Sequence, residues 1–219
     1  MRRRKNADGC AAAHALELIG DRWALLVVRE LVLGPKRFTD LRTGLPRISP
    51  NVLTQRLEEL ERTAIVRRRK LAPPAAAWVY ELTEWGTQLE PVIVSLGRWA
   101  SRSPFLPHGH LNADSLILSF RTMFDPSAAH GLSGTVELRI GEERFHAIVN
   151  RGHMKLNRGT IDHPDAAIDA DSDTLAQIVY QGHPISDALR SGDLKFEGDK
   201  AIARRFFTLF PLPERAPAA

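Results

Sequence analysis

Residues 47–61 read RISPNVLTQRLEELE, and the next run, IVRRRKL, abandons their period. Leu53, Leu57, Leu60 and then Ala64 recur at helical spacing, which demands a core on one side only. Ser49 caps such a helix through its hydroxyl, and Pro50 suits the first position because its missing N–H has no helical partner there. The opposite face carries Asn51, Gln55, Glu58 and Arg62, with Thr54 at its edge. A helix with amides at its positive end, entering a basic strand within a few residues, restricts the fold to small helix-on-hairpin arrangements.

Further helices are predicted at about 10–19, 22–33, 39–45 and 84–101, with Gly20 and Gly34 as terminators and Thr39 as the cap of the third. IVRRRKL (65–71) and AWVYELT (77–83) are rich in Ile, Val, Trp, Tyr and Thr and read as two strands of an open hairpin across Pro-Pro-Ala. Three short helices before a basic hairpin make a winged helix-turn-helix, and 49–63 then has the makeup of its recognition helix. Asn51 and Gln55 stand one turn apart; each side chain can pair bidentately with adenine, as arginine does with guanine. The helix start, with Arg47, Ser49, Pro50 and Thr54, favours a nearby phosphate. Arg67, Arg68, Arg69 and Lys70 alternate across both faces of a strand, too dense for a half-buried strand and suited to backbone phosphates and the minor groove. Arg2, Arg3, Arg4 and Lys5 read either as a loose basic arm or as a tail without a role.

Charge divides along the chain of 219 residues. Residues 1–103 hold 18 Lys/Arg against 11 Asp/Glu, a net +7, and residues 104–219 hold 12 against 15, a net −3. A polyanionic partner is expected for the first part alone, a solvated basic surface being the plainer alternative. The switch coincides with SRSPFLPHGH (101–110), rich in Pro, Ser and Gly, which places a winged-helix domain over 1–103, a linker over 104–111 and a second domain over 112–219. No apolar run reaches the ~18 residues of a membrane helix. Asp8, His14 and Glu17 interrupt the apolar stretch that would make the start a signal peptide. One cysteine, Cys10, forms no internal disulfide, and a cytoplasmic location is expected.

The segment from CAAAHALELIGDRW to AIVRRR, followed by YELTEWGTQLEPVI, resembles the HxlR family of bacterial transcriptional regulators. Its marks are Cys10, IGDRW at 19–23, RFTDL at 37–41, ISPNVLTQRLEELE and LTEWG at 82–86, over about residues 10–101. The resemblance implies a dimeric winged-helix DNA binder paired through its first and last helices. Independently, Trp85, Leu89, Val92, Leu96 and Trp99 recur at spacings of 4, 3, 4 and 3, a seam for a dimer or for an intrachain helix, with a kink expected at Pro91. Cys10 stands where a helix N-terminus lowers a thiol pKa; relatives use that cysteine as a redox or electrophile sensor, and here it reads as that or as a small packing residue.

The second half reads as α/β: a helix at 112–124 capped by Asn112, strands at 134–140, 145–149, 154–157 and 166–170, and a helix at about 172–181. A short helix between Pro184 and Gly192, a strand at 193–199 and a helix at 202–210 with Ile202, Phe206 and Leu209 inward complete it. PDAAIDADSDTLAQIVYQGHPISDALRSGDLKFEGDKAIARRFFTLF is similar to sterol-carrier-protein-like domains, whose sheet and helices enclose an apolar cavity. That likeness implies a hydrophobic small-molecule ligand, for which Phe120, Met123, Phe124, Phe145, Phe196, Phe206 and Phe207 are the candidates; a filled core serving as a spacer or for dimerisation is the alternative. His108 and His110, with the scattered His146, His153, His163 and His183, have no repeating metal-ligand spacing, and no phosphate loop, GxSxG or HExxH occurs, so neither metal, cofactor nor catalysis is expected. The fold class is therefore α+β: a winged helix-turn-helix domain plus an α/β sterol-carrier-protein-like domain. The function expected is a DNA-binding regulator that reads an operator, an inverted repeat, as a homodimer, and responds to a hydrophobic ligand. The alternative is a hydrophobic-ligand carrier whose first half mainly dimerises.

Overall fold

A computed structural model describes residues 9–107 and 109–217. The Arg2–Lys5 arm and His108 lie outside them. Two compact units result, Met1–Ile93 and Val94–Ala219. The division falls before the Pro- and Ser-rich stretch, inside a helix, because Arg98 already bonds within the second unit, its Nη1 donating to the Thr122 carbonyl at 3.1 Å.

The first unit runs α1 (Ala11–Ile19), α2 (Arg22–Leu31), α3 (Phe38–Gly44), α4 (Pro50–Arg62), β1 (Val66–Lys70), β2 (Trp78–Leu82), α5 (Glu84–Thr87) and the start of α6 (Glu90–Ala100). The strands pair antiparallel, with Arg67 opposite Glu81 and Arg68 opposite Tyr80. Its core is aliphatic: Val27, Val28, Leu41, Leu53, Leu57 and Leu60 are fully buried. Asp21 caps α2 by accepting the Trp23 amide at 3.0 Å, as an N-cap carboxylate should.

Three local expectations are corrected. Thr39 lies inside α3 rather than capping it; the helix starts after Arg37, whose amide donates to the Asp40 carboxylate at 3.0 Å. Ala64 does not continue the α4 stripe: it is exposed with φ 58°, and the chain reverses there so that Ile65 fills the buried position. The helix expected over 84–101 is two, α5 and α6. Thr83 caps α5 by accepting the Gly86 amide at 3.0 Å, and Gly86 sits so close to β1 that a Cβ would meet the Ile65 carbonyl oxygen at 2.0 Å. Pro91 falls in the first turn of α6, where its missing amide costs no helical hydrogen bond, and the break at Gln88–Leu89 comes directly before it, where the sequence led one to expect a disruption.

The second unit holds α7 (Ala113–Met123), β3 (Gly134–Ile140), β4 (Glu143–Asn150), β5 (His153–Arg158), β6 (Ala166–Ala170), α8 (Ser172–Gln181), α9 (Ile185–Ser191), β7 (Leu194–Gly198) and α10 (Lys200–Phe206), which ends in a 3-10 turn, Phe207–Leu209. The sheet order is β5-β4-β3-β6-β7, with β3 and β6 parallel and the other neighbours antiparallel. Phe120, Phe145, Phe206 and Phe210 are fully buried. Phe120 stacks on Phe210 with ring centroids 4.4 Å apart and meets Phe206 edge-on at 6.0 Å, two of the arrangements aromatic pairs prefer. Asn112 caps α7 through the Ser115 amide at 2.7 Å. Among the described residues no helix is long and apolar enough to cross a membrane.

Candidate nucleic-acid interface

The apolar stripe of α4 fixes which of its residues remain free. With Leu53, Leu57 and Leu60 buried, Asn51, Thr54 and Gln55 are exposed on the other side, and Arg47, Ser49 and Pro50 at the helix entrance are exposed with them. Ser49 is committed to its cap, its Oγ accepting the Val52 amide at 3.3 Å. Gln55 donates to Glu59 Oε1 at 3.3 Å, a long, exposed bond that a base edge can displace at little cost. Asn51 and Gln55 are thus both exposed in the first half of α4.

The wing sorts its four cations into two kinds. Arg67 and Arg69 lie on one face, and both bond Glu81: Arg67 Nε to Oε1 at 2.7 Å and Arg69 Nε to Oε2 at 2.7 Å. Burial tends to raise the Glu81 pKa, but the hydrogen bonds from Arg69 and Arg67 outweigh it and hold the carboxyl below its usual range. Arg68 and Lys70 lie on the other face, both exposed. The Arg68 guanidinium stands 4.6 Å from the Trp78 ring centroid and 5.8 Å from that of Tyr80, a cation–π arrangement that restricts the side chain without neutralising it. Trp78, 52% exposed, and Glu81 went unmarked in sequence reasoning; the cross-strand register is the signal that finds them.

Along α5 and α6, Trp85, Val92, Leu96 and Trp99 are exposed, Trp99 by 74%, whereas Leu89 packs against the first unit's core. A groove of about 220 Å³ lies beside Trp85, lined also by Ala15, Leu18, Ile19 and Leu89. Cys10, at the start of α1, is exposed. Hydrogen bonds from the Ala13 and Ala12 amides lower its thiol pKa.

Of the seven candidate ligand residues in the second unit, Phe120, Met123, Phe145, Phe206 and Phe207 are buried and Phe124 and Phe196 half-buried. Phe196 faces Phe207 at 6.1 Å. An apolar groove of about 470 Å³ in the same unit is lined instead by Trp99, Phe105, Leu106, Pro107 and Ala216.

Comparison with known proteins finds two matches that meet at residues 105–109, beyond the boundary between the compact units. Residues 18–105 match the family model described as HxlR-like helix-turn-helix, and residues 109–216 match that described as alkyl sulfatase C-terminal. The HTH-type transcriptional regulator YodB of Bacillus subtilis is 40% identical over 88 residues, 40% of this chain and 79% of that protein. The uncharacterized HTH-type transcriptional regulator YdeP of the same organism is 37% identical over 97 residues, 43% of this chain and 74% of that one. Among solved structures, the reduced form of YodB covers 46% of this chain and 98% of its own at 37% identity, with a TM-score of 0.40.

Proposed function

This chain belongs to the HxlR-like helix-turn-helix family of transcriptional regulators, and we propose that it reads its operator with Asn51 and Gln55 of α4 in the major groove while Arg68 and Lys70 of the wing hold the DNA backbone. The observation that carries this reading is the sidedness of α4: Leu53, Leu57 and Leu60 fix one face in the core, leaving Asn51, Thr54 and Gln55 with no role in the core of the fold. Two copies pair through the exposed Trp85, Val92, Leu96 and Trp99, and the groove beside Trp85 takes an apolar side chain of the partner. A two-fold dimer presents its recognition helices about 34 Å apart, so the operator is an inverted repeat with half-sites one helical turn apart. Selection of duplexes from a random library, followed by anisotropy titrations at several salt concentrations, tests this. Recovery of no common motif, or binding that ignores salt, overturns it.

The second unit extends the reading to an effector. Its order of β6, α8, α9 and β7, the last leading into Gly198-Asp199, supports a sterol-carrier-like architecture, and its apolar surfaces suit a hydrophobic small molecule. The Phe120–Phe206–Phe210 stack would have to part for a ligand to enter it, whereas the groove at Trp99 and Phe105 is already open. Mass spectrometry of the intact purified protein, searching for a retained apolar molecule, tests the effector. Loss of any ligand response on deleting 108–219 is the expected companion result.

A further inference from the structure

Glu30 is the only charged side chain classed as buried among the described residues of the first unit, with 0% exposure. It lies in the last turn of α2, where the negative end of the helix disfavours a carboxylate. Its oxygens accept from Arg29 Nη2 and Lys36 Nζ, each at 2.6 Å. Burial pushes the Glu30 carboxyl upward, but Lys36 and Arg29 outweigh it and keep the group ionised below its usual range. A well-packed apolar residue serves stability as well as a buried ion pair does, so stability alone gives no reason for a charge here.

The partner suggests one. Lys36 stands in the turn between α2 and α3, and its backbone pairs in both directions with β2: its amide donates to the Tyr80 carbonyl at 3.0 Å, and the Tyr80 amide donates back at 2.8 Å. Tyr80 is directly opposite Arg68 in the hairpin, and the Arg68 guanidinium lies over the rings of Trp78 and Tyr80. One line of contacts therefore runs from a buried carboxylate, through Lys36, to the exposed arginine of the wing. We propose that Glu30 is a positioning residue for DNA binding: by holding Lys36 it sets the place of β2, and so aims Arg68 at the phosphate backbone. This rests on the DNA-binding reading of the wing given above.

Positioning and plain electrostatics predict opposite signs. Replacing Glu30 by glutamine removes a negative charge, which by Coulomb attraction alone strengthens binding to DNA and leaves the salt dependence as steep or steeper. If Glu30 aims Arg68, the same change weakens operator binding and lowers the salt slope by about one ion, the contribution of one lost phosphate contact. A merely destabilising change lowers the active fraction without altering that slope. The experiment is a salt titration of operator affinity with the full chain for Glu30→Gln and for Lys36→Met. The second variant leaves Glu30 paired with Arg29 and covers the case in which the first does not fold. Both are expected to keep the base preferences of the native protein, to lose about one ion of slope, and to make a further Arg68→Ala change nearly silent. A folded variant with an unchanged or steeper slope overturns the proposal, as does an Arg68→Ala effect that adds in full. Arg68→Ala in the native background separates the two readings. If it leaves the slope untouched, the wing contact and the role of Glu30 both fall; if it alone lowers the slope, only the role of Glu30 falls.

Discussion

The two units fill their cores with different residues. In the first, the fully buried apolar side chains are aliphatic, and Trp78 and Trp85 are left at the surface. In the second, Phe120, Phe145, Phe206 and Phe210 are all at the centre, while Trp99 and Phe105 near its start are exposed. A large aromatic side chain left in water forgoes about 2–3 kcal/mol of burial, so a unit that exposes tryptophans needs another surface to cover them. The first unit carries the exposed faces proposed above for DNA and for a second copy, and the second gathers its phenylalanines in a closed core.

The largest effect expected from this contrast is in the second unit. Phe120→Ala removes the ring that touches both Phe206 and Phe210 and should cost about 3–5 kcal/mol, read as a drop in the denaturant midpoint of that unit. A variant of nearly native stability would mean that the stack is a loose pocket lining, and the contrast would fail. In the first unit, Asn51→Ala should leave stability unchanged within about 0.5 kcal/mol, as at an exposed site. It should weaken operator binding by about 1–3 kcal/mol and relax preference at one base pair, as measured by anisotropy on a panel of single-base operator variants. Trp78→Ala should be smaller still: with the ring under Arg68 gone, affinity falls by about 0.5–1 kcal/mol, the same for every sequence in that panel. The smallest effect concerns Cys10. A thiol whose folded pKa is lowered stays ionised to lower pH, so the iodoacetamide rate plotted against pH should rise at lower pH in the native protein than in the urea-unfolded chain. Coincident profiles would remove Cys10 from the candidates for a reactive sensor.

Sequence reasoning reached most of this wherever a signal is local. Ser49-Pro50 and the Leu53–Leu57–Leu60 stripe mark α4 unaided, and Gly192, with φ of 86°, closes α9 where glycine was expected to. It failed where two distant segments decide the outcome. That position 86 admits only glycine depends on the Ile65 carbonyl, some twenty residues away, which a Cβ there would meet. The number of phenylalanines in the second half is legible, but their mutual stacking is not, since Phe120 and Phe210 meet only after the whole unit has folded. Arg67 and Arg69 read as free cations until the register sets Glu81 between them.

One of those distant meetings also governs how the wing can breathe. The Ile65 carbonyl accepts the Thr83 amide at 3.0 Å, the Thr83 hydroxyl donates to the Ala64 carbonyl at 2.7 Å, and Thr83 in turn holds the first turn of α5. The open end of the hairpin and the start of the helix beyond it are thereby a single knot, and neither frays without the other. Opening the wing unwinds α5, so its local unfolding free energy is that of a larger cooperative block. In the dimer proposed above, release from DNA would then turn the two recognition helices as rigid bodies, because the wing does not open by itself.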